Sequence, residues 1–365
     1  MSKVVKWILI YVGSSVVSFF LVHGLLNLID GMFSQGTLRS DPSDLKTEII
    51  PEDVFVPSDL SFEEIEKPAW RERDSHDVFV FQDKLWLTGG LQSEIFKDDS
   101  TPRYDLADYF NDIWVSDDGT NWQLVKANAE FPPLRSSPIV QFGDYLYLIG
   151  GWSPDLGYKV GIWRSSDGLS WEKVIQNPEW SQREGHQVIA YQDKLYLLGG
   201  VNYDLGETYN DTWVSEDAIK WIKVEDGPWS PRWDHATTVY KDKLYLTGGM
   251  NLDEIGFNDV WLYDSSGWHL VLEDAPWSQR QGHVLVSYKD LMWLIGGLNA
   301  TTNKGIGDTW YSDDGINWVK TKVDNSGLAL EDHAAVVFDD KIWILGGMDS
   351  NWVWQNRVWS STIKN

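Results

Sequence analysis

Six copies of one ten-residue pattern span most of this 365-residue chain. Each copy has an aromatic residue, an Asp two positions later, an apolar run and a final Gly-Gly pair. The copies read FQDKLWLTGG (81–90), FGDYLYLIGG (142–151), YQDKLYLLGG (191–200), YKDKLYLTGG (240–249), YKDLMWLIGG (288–297) and FDDKIWILGG (338–347). Their second glycines lie 61, 49, 49, 48 and 50 residues apart. A period near fifty residues with several strand-like segments per unit predicts an all-β, six-bladed β-propeller.

Each repeat divides into four strand-like segments, here called a to d. Strand a follows a His in five copies, strand b ends in Gly-Gly, strand c is centred on a Trp, and strand d begins with an aromatic residue. Asp-Gly turns between strands c and d are strong hairpin signals. In an antiparallel blade of this order, the b–c and d–a loops emerge on one face and the a–b and c–d turns on the other. Because function concentrates on loops held by a rigid scaffold, we expect binding on one of these faces.

The last repeat has no room for its own strand d, because the chain ends soon after strand c. A strand-like segment without a repeat of its own, LSFEEIEK, stands before the first copy. Phe62 lies 27 residues before Gly89, and the strand-d Trp residues keep the same spacing of 27 or 28. We therefore expect residues 61–66 to complete the sixth blade beside residues 357–362, which leaves no unpaired edge at the seam.

The amino terminus carries a membrane signal. Lys3 and Lys6 precede an apolar stretch, residues 7–29, which is long enough to cross a bilayer as a helix. Basic residues before it and acidic residues after it predict a propeller on the extracytoplasmic side of a membrane. The alternative is a cleaved signal peptide and a secreted protein. The predicted organisation is a signal-anchor (1–29), an acidic Pro-containing linker (30–60) and the propeller (61–365).

Net charge and cysteine content narrow the partners. The formal net charge is −25, so nucleic acid and anionic membrane surfaces are poor partners. The chain has no Cys, which excludes disulfides and thiolate chemistry. Five of the seven His share one repeat position, and such residues are spread around a ring instead of converging on an ion. We predict neither a cofactor nor a metal site.

The Gly-Gly pairs after an apolar strand, with a Trp at fixed spacing behind them, resemble the Kelch-repeat family over residues 61–362. The resemblance implies the propeller fold. It does not choose among functions, because Kelch propellers serve as binding modules, as scaffolds and as a few enzymes. The sialic acid mutarotase group shares the six-bladed plan and has an Arg-lined channel.

The aromatic residues separate into repeated and unrepeated sets. Eighteen of the 23 Trp occupy repeated positions, which indicates packing between blades. Outside the membrane segment, the unrepeated Trp fall in b–c loops or at the entry to strand a, and several loop Tyr join them on that face. The predicted partner-binding aromatics are Trp152, Trp233, Trp352, Trp354, Tyr158, Tyr203 and Tyr104. Their alternative role is to cover loop backbone. We expect the footprint to lie off the axis, over blades 6, 1 and 2.

Four arginines also share a repeat position, at the entry to strand a on the same face: Arg73, Arg183, Arg232 and Arg280. A cluster of guanidinium groups can hold a carboxylate or phosphate through paired hydrogen bonds. The alternative is that each Arg pairs with a nearby acid inside the protein, such as Asp74, Glu184 or Asp234.

Three functions remain open from the sequence. The first is a membrane-tethered, extracytoplasmic module that binds a protein or glycan through the b–c/d–a face. The second is a sugar isomerase or mutarotase at an Arg-lined channel mouth, with a His as proton carrier. The third is a structural subunit of a larger envelope complex.

Overall fold

The computed structural model describes residues 55–65, 67–97 and 102–363. Three 3-10 helices in these ranges cover Pro57–Asp59, Tyr104–Leu106 and Ser326–Leu328. No helix in the described ranges is long and apolar enough to cross a membrane. The predicted membrane segment and residues 30–54 of the predicted linker lie outside the described residues.

The strands in chain order are β1 (Leu60–Ile65), β2 (Asp74–Phe81), β3 (Lys84–Gln92), β4 (Asp108–Tyr109), β5 (Ile113–Ser116), β6 (Trp122–Lys126), β7 (Ile139–Phe142), β8 (Tyr145–Ile149), β9 (Ile162–Ser165), β10 (Glu172–Ile175), β11 (Gln187–Tyr191), β12 (Lys194–Leu198), β13 (Val201–Asn202), β14 (Glu207–Thr208), β15 (Asp211–Ser215), β16 (Ile222–Asp226), β17 (Ala236–Tyr240), β18 (Lys243–Thr247), β19 (Val260–Asp264), β20 (Gly267–Leu272), β21 (Val284–Tyr288), β22 (Leu291–Ile295), β23 (Leu298–Asn299), β24 (Lys304–Gly305), β25 (Thr309–Ser312), β26 (Val319–Lys320), β27 (Leu330–Glu331), β28 (Ala334–Phe338), β29 (Lys341–Leu345), β30 (Met348–Asp349) and β31 (Val358–Ile363).

Six antiparallel sheets form the blades, each with strands a to d in order. They are β2-β3-β5-β6, β7-β8-β9-β10, β11-β12-β15-β16, β17-β18-β19-β20, β21-β22-β25-β26 and β28-β29-β31-β1. The innermost strands β2, β7, β11, β17, β21 and β28 contact one another in that order, and β28 contacts β2. The ring is closed, which confirms the predicted six-bladed propeller.

The first strand of the chain closes the last blade. Strand β1 pairs antiparallel with β31, with Leu60 opposite Ile363 and Ile65 opposite Val358. The Leu60 side chain is buried in the same core cluster as Ile344 and Trp359. The predicted closure by residues 61–66 is confirmed, with the strand beginning one residue earlier.

Residues before β1 also pack on the propeller. The ring of Phe55 lies 6.2 Å from those of Tyr288 and Trp293 in edge-on geometry, and the Lys289 ammonium lies 5.4 Å from its centroid. Tyr288 and Lys289 belong to the a–b turn of blade 5. We call the face of the a–b and c–d turns the turn face, and the face of the b–c and d–a loops the mouth face. The packed unit thus begins at Phe55, ahead of residue 61, and the chain enters it on the turn face.

The Gly-Gly pair lets strand b pass close to strand a. Gly90 has φ +90°, and a Cβ atom there would lie 2.5 Å from the Asp74 carbonyl oxygen. A side chain at this position would therefore displace the backbone of strand a. Equivalent positive φ values occur at the second glycine of all six copies, which explains why the pair ends every strand b.

A ring of backbone surrounds the axis on the mouth side of the innermost strands. Its members, one per blade, all have φ between 48° and 62°. They are Ser75, Ser136, Gly185, Asp234, Gly282 and Asp332. Five hydrogen bonds of 2.8–3.0 Å join neighbouring members, for example from the Asp332 N–H to the Gly282 carbonyl. We call this ring the axial belt.

Candidate functional site

The mouth face contains a pocket of about 740 Å³ on the propeller axis. We call it the mouth pocket. Residues from all six blades line it, and axial-belt residues form its floor. A smaller cavity of about 250 Å³ lies beyond the belt, between the innermost strands. The pocket is therefore centred on the axis, whereas the partner footprint predicted from the sequence lies over blades 6, 1 and 2.

Two rings of side chains make the pocket wall. The first ring is the residue just before each belt member: Asp74, Arg135, Glu184, Trp233, Gln281 and Glu331. The second ring is the residue just after each Gly-Gly pair: Leu91, Trp152, Val201, Met250, Leu298 and Met348. Members of the two rings face each other within each blade, as in the pairs Glu184 with Val201 and Glu331 with Met348.

The residue type in the first ring changes from blade to blade, whereas the residues on either side of it in the repeat are mostly constant. The residue before it is Arg in four blades, and the residue two positions later is His in five. The ring itself carries Asp, Arg, Glu, Trp, Gln and Glu. Positions that serve the fold keep one residue type, because each blade presents the same environment. Divergence at a position that lines the pocket gives the site a chemistry that the repeat does not impose.

The cation of the pocket wall is already engaged. The Arg135 guanidinium donates two hydrogen bonds to the Glu184 carboxylate, at 2.7 and 3.0 Å. Its Cζ lies 5.1 Å from the Trp152 ring and 5.4 Å from the Tyr104 ring. The Tyr158 hydroxyl also donates to Glu184, at 3.0 Å. These contacts use both oxygens of the Glu184 carboxylate, and that carboxylate balances the charge of the Arg135 guanidinium.

Six other carboxyl groups of the pocket form no ion pair with any described residue, and four of them lie in or next to the axial belt: Asp74, Asp234, Glu331 and Asp332. Asp74 is 3% exposed and Glu331 is 7% exposed. Burial raises the pKa of all four, and the Asp332 carboxylate raises the pKa of the other three further. The pocket therefore holds more acidic groups than cations, and the Arg135 guanidinium offsets the burial of Asp74, Asp234 and Asp332 only in part.

An apolar rim surrounds this acidic pocket. Nine large hydrophobic side chains in the b–c loops of blades 1, 2, 3, 4 and 6 are more than a third exposed. They are Ile95, Phe96, Leu106, Leu156, Tyr203, Leu205, Leu252, Ile255 and Val353. They are nine of the nineteen exposed large hydrophobic side chains among the described residues, and exposed apolar side chains around a pocket are typical of surfaces that meet another molecule.

The structure brings six of the seven predicted aromatics to the pocket: Tyr104, Trp152, Tyr158, Tyr203, Trp233 and Trp352. Trp354 is 5% exposed and packs against Leu91 and Met348 beneath the pocket wall. Trp233 is 6% exposed, so it contributes an edge of its ring and not a free surface. Six of these aromatics therefore line the mouth pocket, whereas Trp354 is buried in the hydrophobic cluster beneath it; their role in binding a partner stays a prediction.

The four repeated arginines do not reach the pocket. Arg73, Arg183, Arg232 and Arg280 are 0% exposed. Each donates to an Asp two residues before the strand-c Trp and to the carbonyl of the first glycine of the pair. Arg232, for example, bonds to Asp259 at 2.6 and 2.8 Å and to Gly248 at 2.8 Å. The interpretation of these arginines as ligand-binding groups is corrected: their donors are used inside the blade, with Asp112, Asp211, Asp259 and Asp308.

The residues that the isomerase alternative requires do not reach the mouth pocket either. Its arginines are buried, and its histidines lie in the cavity beyond the belt. Burial lowers the pKa of those histidines, to about 3 for His76 and His186 and about 4 for His333. They are neutral at physiological pH and are separated from the mouth pocket by the axial belt.

A comparison with known families agrees with this architecture. The model of the KLHDC2/KLHL20/DRC7 Kelch-repeats domain matches residues 138–347, more than half of the chain. The chain therefore belongs to the Kelch-repeat family. Kelch propellers act in general as protein-binding scaffolds. No curated protein matches the chain.

The incompletely compensated acids of the pocket should lower the stability of the fold at neutral pH. A carboxyl whose pKa is raised in the folded state destabilises it once pH exceeds the pKa of the unfolded state, near 4. Asp332→Asn keeps the shape and the acceptor for the Ser75 hydroxyl, and suits the positive φ. We expect it to add roughly 1–2 kcal/mol to the free energy of unfolding at pH 7.5.

Chemical denaturation at pH 7.5 and pH 4 measures this effect. The gain should shrink at pH 4, where the folded state holds the proton and the unfolded carboxyl, with its pKa near 4, holds it about half of the time. Asp144→Asn on the turn face removes the same charge from an exposed position and should change little. A gain equal at both pH values, or equal for the two variants, would contradict the electrostatic account.

Proposed function

We propose that this chain is a binding module that engages a partner protein at its mouth face, with the mouth pocket at the centre of the contact. The observation that carries the proposal is the apolar rim around a pocket whose wall carries a different side chain in nearly every blade. Protein interfaces commonly combine such exposed apolar and aromatic groups with a few buried anchors. The general role of Kelch propellers as protein scaffolds supports the same conclusion.

The proposal includes a membrane tether through residues 7–29 and a propeller on the extracytoplasmic side. Its support is the apolar stretch with basic residues before it and acidic residues after it. Phe55, the first described residue, packs on the a–b turn of blade 5 at the turn face. Membership of a larger envelope complex would be one form of this arrangement.

The absence of cysteine allows one labelling experiment to test both parts. Leu205→Cys places a thiol on the rim, and Ile222→Cys places one on the outer strand β16 of the same blade; these residues are 62% and 71% exposed. Each variant is treated with a membrane-impermeant maleimide in intact cells and again after purification. We expect position 222 to react in both settings. Position 205 should react at least fivefold more slowly in cells than in the purified protein, because a partner covers it.

The outcomes separate the two parts. Reaction at neither position until the cells are lysed would reverse the topology. Equal reaction at both positions in cells would argue against a partner at the mouth. A propeller recovered from the medium would favour the cleaved, secreted form.

A further inference from the structure

The geometry points to a particular anchor: we propose that the mouth pocket binds a cationic side chain, the guanidinium of Arg or the ammonium of Lys, presented by the partner protein. This inference rests on the proposed function and specifies what the pocket recognises. The cation would sit against Asp74, Asp234, Glu331 and Asp332, on the side of the pocket formed by blades 4, 6 and 1.

The charges of the pocket lining favour a cation over other ligands. The lining contains seven carboxyl groups and one guanidinium, which Glu184 already holds. Among the described residues, no group of three or more His, Asp or Glu converges closely enough to hold a metal ion. The acids are instead distributed around the wall, as contacts to an extended organic cation would be. An acidic peptide would meet like charge, and a neutral sugar would donate hydrogen bonds to the carboxylates but supply no counter-charge.

Asp74 supplies an independent indication of a missing counter-charge. Its side chain is 3% exposed, it lines the pocket, and its Oδ1 atom has no hydrogen-bond partner among the described residues. Buried polar atoms are almost always hydrogen-bonded, because an unpaired buried acceptor loses its water without replacement. The Oδ1 atom itself is enclosed beside Ser75 and Trp354, so a bound guanidinium or ammonium would offset the charge of the Asp74 carboxylate from the pocket side instead of bonding to that atom.

Arg135 illustrates how this pocket holds a cation. Its guanidinium lies between the rings of Tyr104 and Trp152 and pairs with a carboxylate of the next blade. The other side of the pocket has related components: Asp234 of blade 4 with the edge of Trp233, and Glu331 of blade 6 with Trp352, all of which line the pocket. Aromatic rings attract cations through their electron-rich faces, and most strongly where water is excluded. The second set of components has no cation of its own.

The size of the pocket and the apolar rim favour a side chain carried by a protein. A volume of about 740 Å³ accommodates a long side chain together with ordered water. The surrounding b–c loops present apolar side chains that would pack on the residues flanking the anchor. A charged anchor entering an acidic pocket, enclosed by apolar contacts, is an arrangement in which the ion pair is shielded from solvent.

A single-arginine peptide tests the proposal directly. The probe is Ac-Leu-Gly-Arg-Gly-Leu-NH₂, with matched peptides carrying Lys, citrulline or Glu in place of Arg. Each is titrated by calorimetry into the detergent-solubilised full chain at about 0.15 M salt with EDTA present. Citrulline keeps the shape of Arg without its charge. We expect the Arg and Lys peptides to bind, the citrulline peptide to bind at least tenfold more weakly, and the Glu peptide not to bind.

Two double variants with equal net charge locate the site. Asp234→Asn with Asp332→Asn removes two pocket charges, and both positions keep a residue that tolerates their positive φ. Asp144→Asn with Asp313→Asn removes two exposed charges on the turn face. The pocket variant should weaken the Arg peptide at least tenfold and leave the citrulline peptide within twofold. The turn-face variant should leave both within twofold, and thermal unfolding checks that every variant is folded.

Several results would overturn the inference. They are equal binding of the Arg and citrulline peptides, equal loss in the two double variants, absence of binding by the Arg peptide, or preference for a neutral oligosaccharide. None of these bears on the labelling at positions 205 and 222. Protection of position 205 without Arg-peptide binding would keep the partner interface and reject the cationic anchor.

Discussion

Deleting residues 1–66 should open blade 6 and reduce the free energy of unfolding by roughly 5 kcal/mol or more, whereas deleting residues 1–54 should leave it nearly unchanged. The longer deletion removes β1, whose six residues pair with β31. It also removes Leu60, which is 1% exposed in the core of that blade. Burying one Leu contributes about 1.5–3 kcal/mol, and each net backbone hydrogen bond contributes about 0.5–1.5 kcal/mol.

The two deletions differ by only twelve residues, so their comparison measures the closing strand together with the Phe55 contacts to blade 5. Urea unfolding of both forms gives the difference, and light scattering reports aggregation, because β31 becomes an unpaired edge after the longer deletion. A synthetic peptide of residues 55–66 added to the longer deletion should restore most of the lost stability. Equal midpoints for the two deletions would show that β1 does not hold the ring closed.

The sequence predicted the ring and its closure because both follow from spacing alone. Gly-Gly pairs at a period near fifty fix the number of blades, and the strand-d spacing identifies residues 61–66 as the missing strand. What spacing does not reveal is how loops pack in three dimensions. Phe55 belongs to no repeat, yet it packs on the a–b turn of blade 5. A contact between segments more than 200 residues apart leaves no periodic trace.

The site was predicted in part for the same reason. Loop position correctly placed the unrepeated aromatics on the mouth face, but the depth of each ring depends on how its loop folds. Trp352 lines the pocket, whereas Trp354, two residues later, turns into the core. The acids of the pocket were interpreted only as possible partners of the arginines. The repeat position just before the axial belt, which carries Asp, Arg, Glu, Trp, Gln and Glu in the six blades, is the sequence feature that could have identified them.

The sequence pattern of the repeat also indicates the structural role of the arginines. The Asp that pairs with each of them stands two residues before the strand-c Trp. The two blades that lack the Arg lack that Asp as well: blade 2 has Leu134 and Gly161, and blade 6 has Leu330 and Arg357. Because the Arg and the Asp are present together or absent together, the pattern indicates that they contact each other inside the blade. The aromatics Phe110, Tyr209 and Phe257 then lie over three of these arginines, at 4.2, 3.8 and 4.0 Å.

Arg232→Leu should therefore be among the most damaging single changes in this protein, at about 3–5 kcal/mol of unfolding free energy. Arg232 is 0% exposed, and its loss leaves the Asp259 carboxylate without its cation and the Gly248 carbonyl without a donor. Arg71→Leu is the matched control, because Arg71 forms an exposed pair with Asp108, with side chains 51% and 62% exposed. Exposed pairs contribute about 0–1 kcal/mol, so the control should lose little.

A second change distinguishes the lost charge partner from lost packing. Asp259→Asn added to Arg232→Leu removes the stranded carboxylate while keeping an acceptor for the Trp261 indole N–H, which donates to Asp259 at 2.7 Å. If most of the cost is the unpaired charge, the double variant should be more stable than Arg232→Leu alone, measured by guanidinium unfolding in a full double-mutant cycle. Blades 2 and 6, which fold without either residue, indicate that the site tolerates joint replacement. An Arg232→Leu variant no weaker than Arg71→Leu, or a double variant weaker than both singles combined, would refute the pairing as the main function of these arginines.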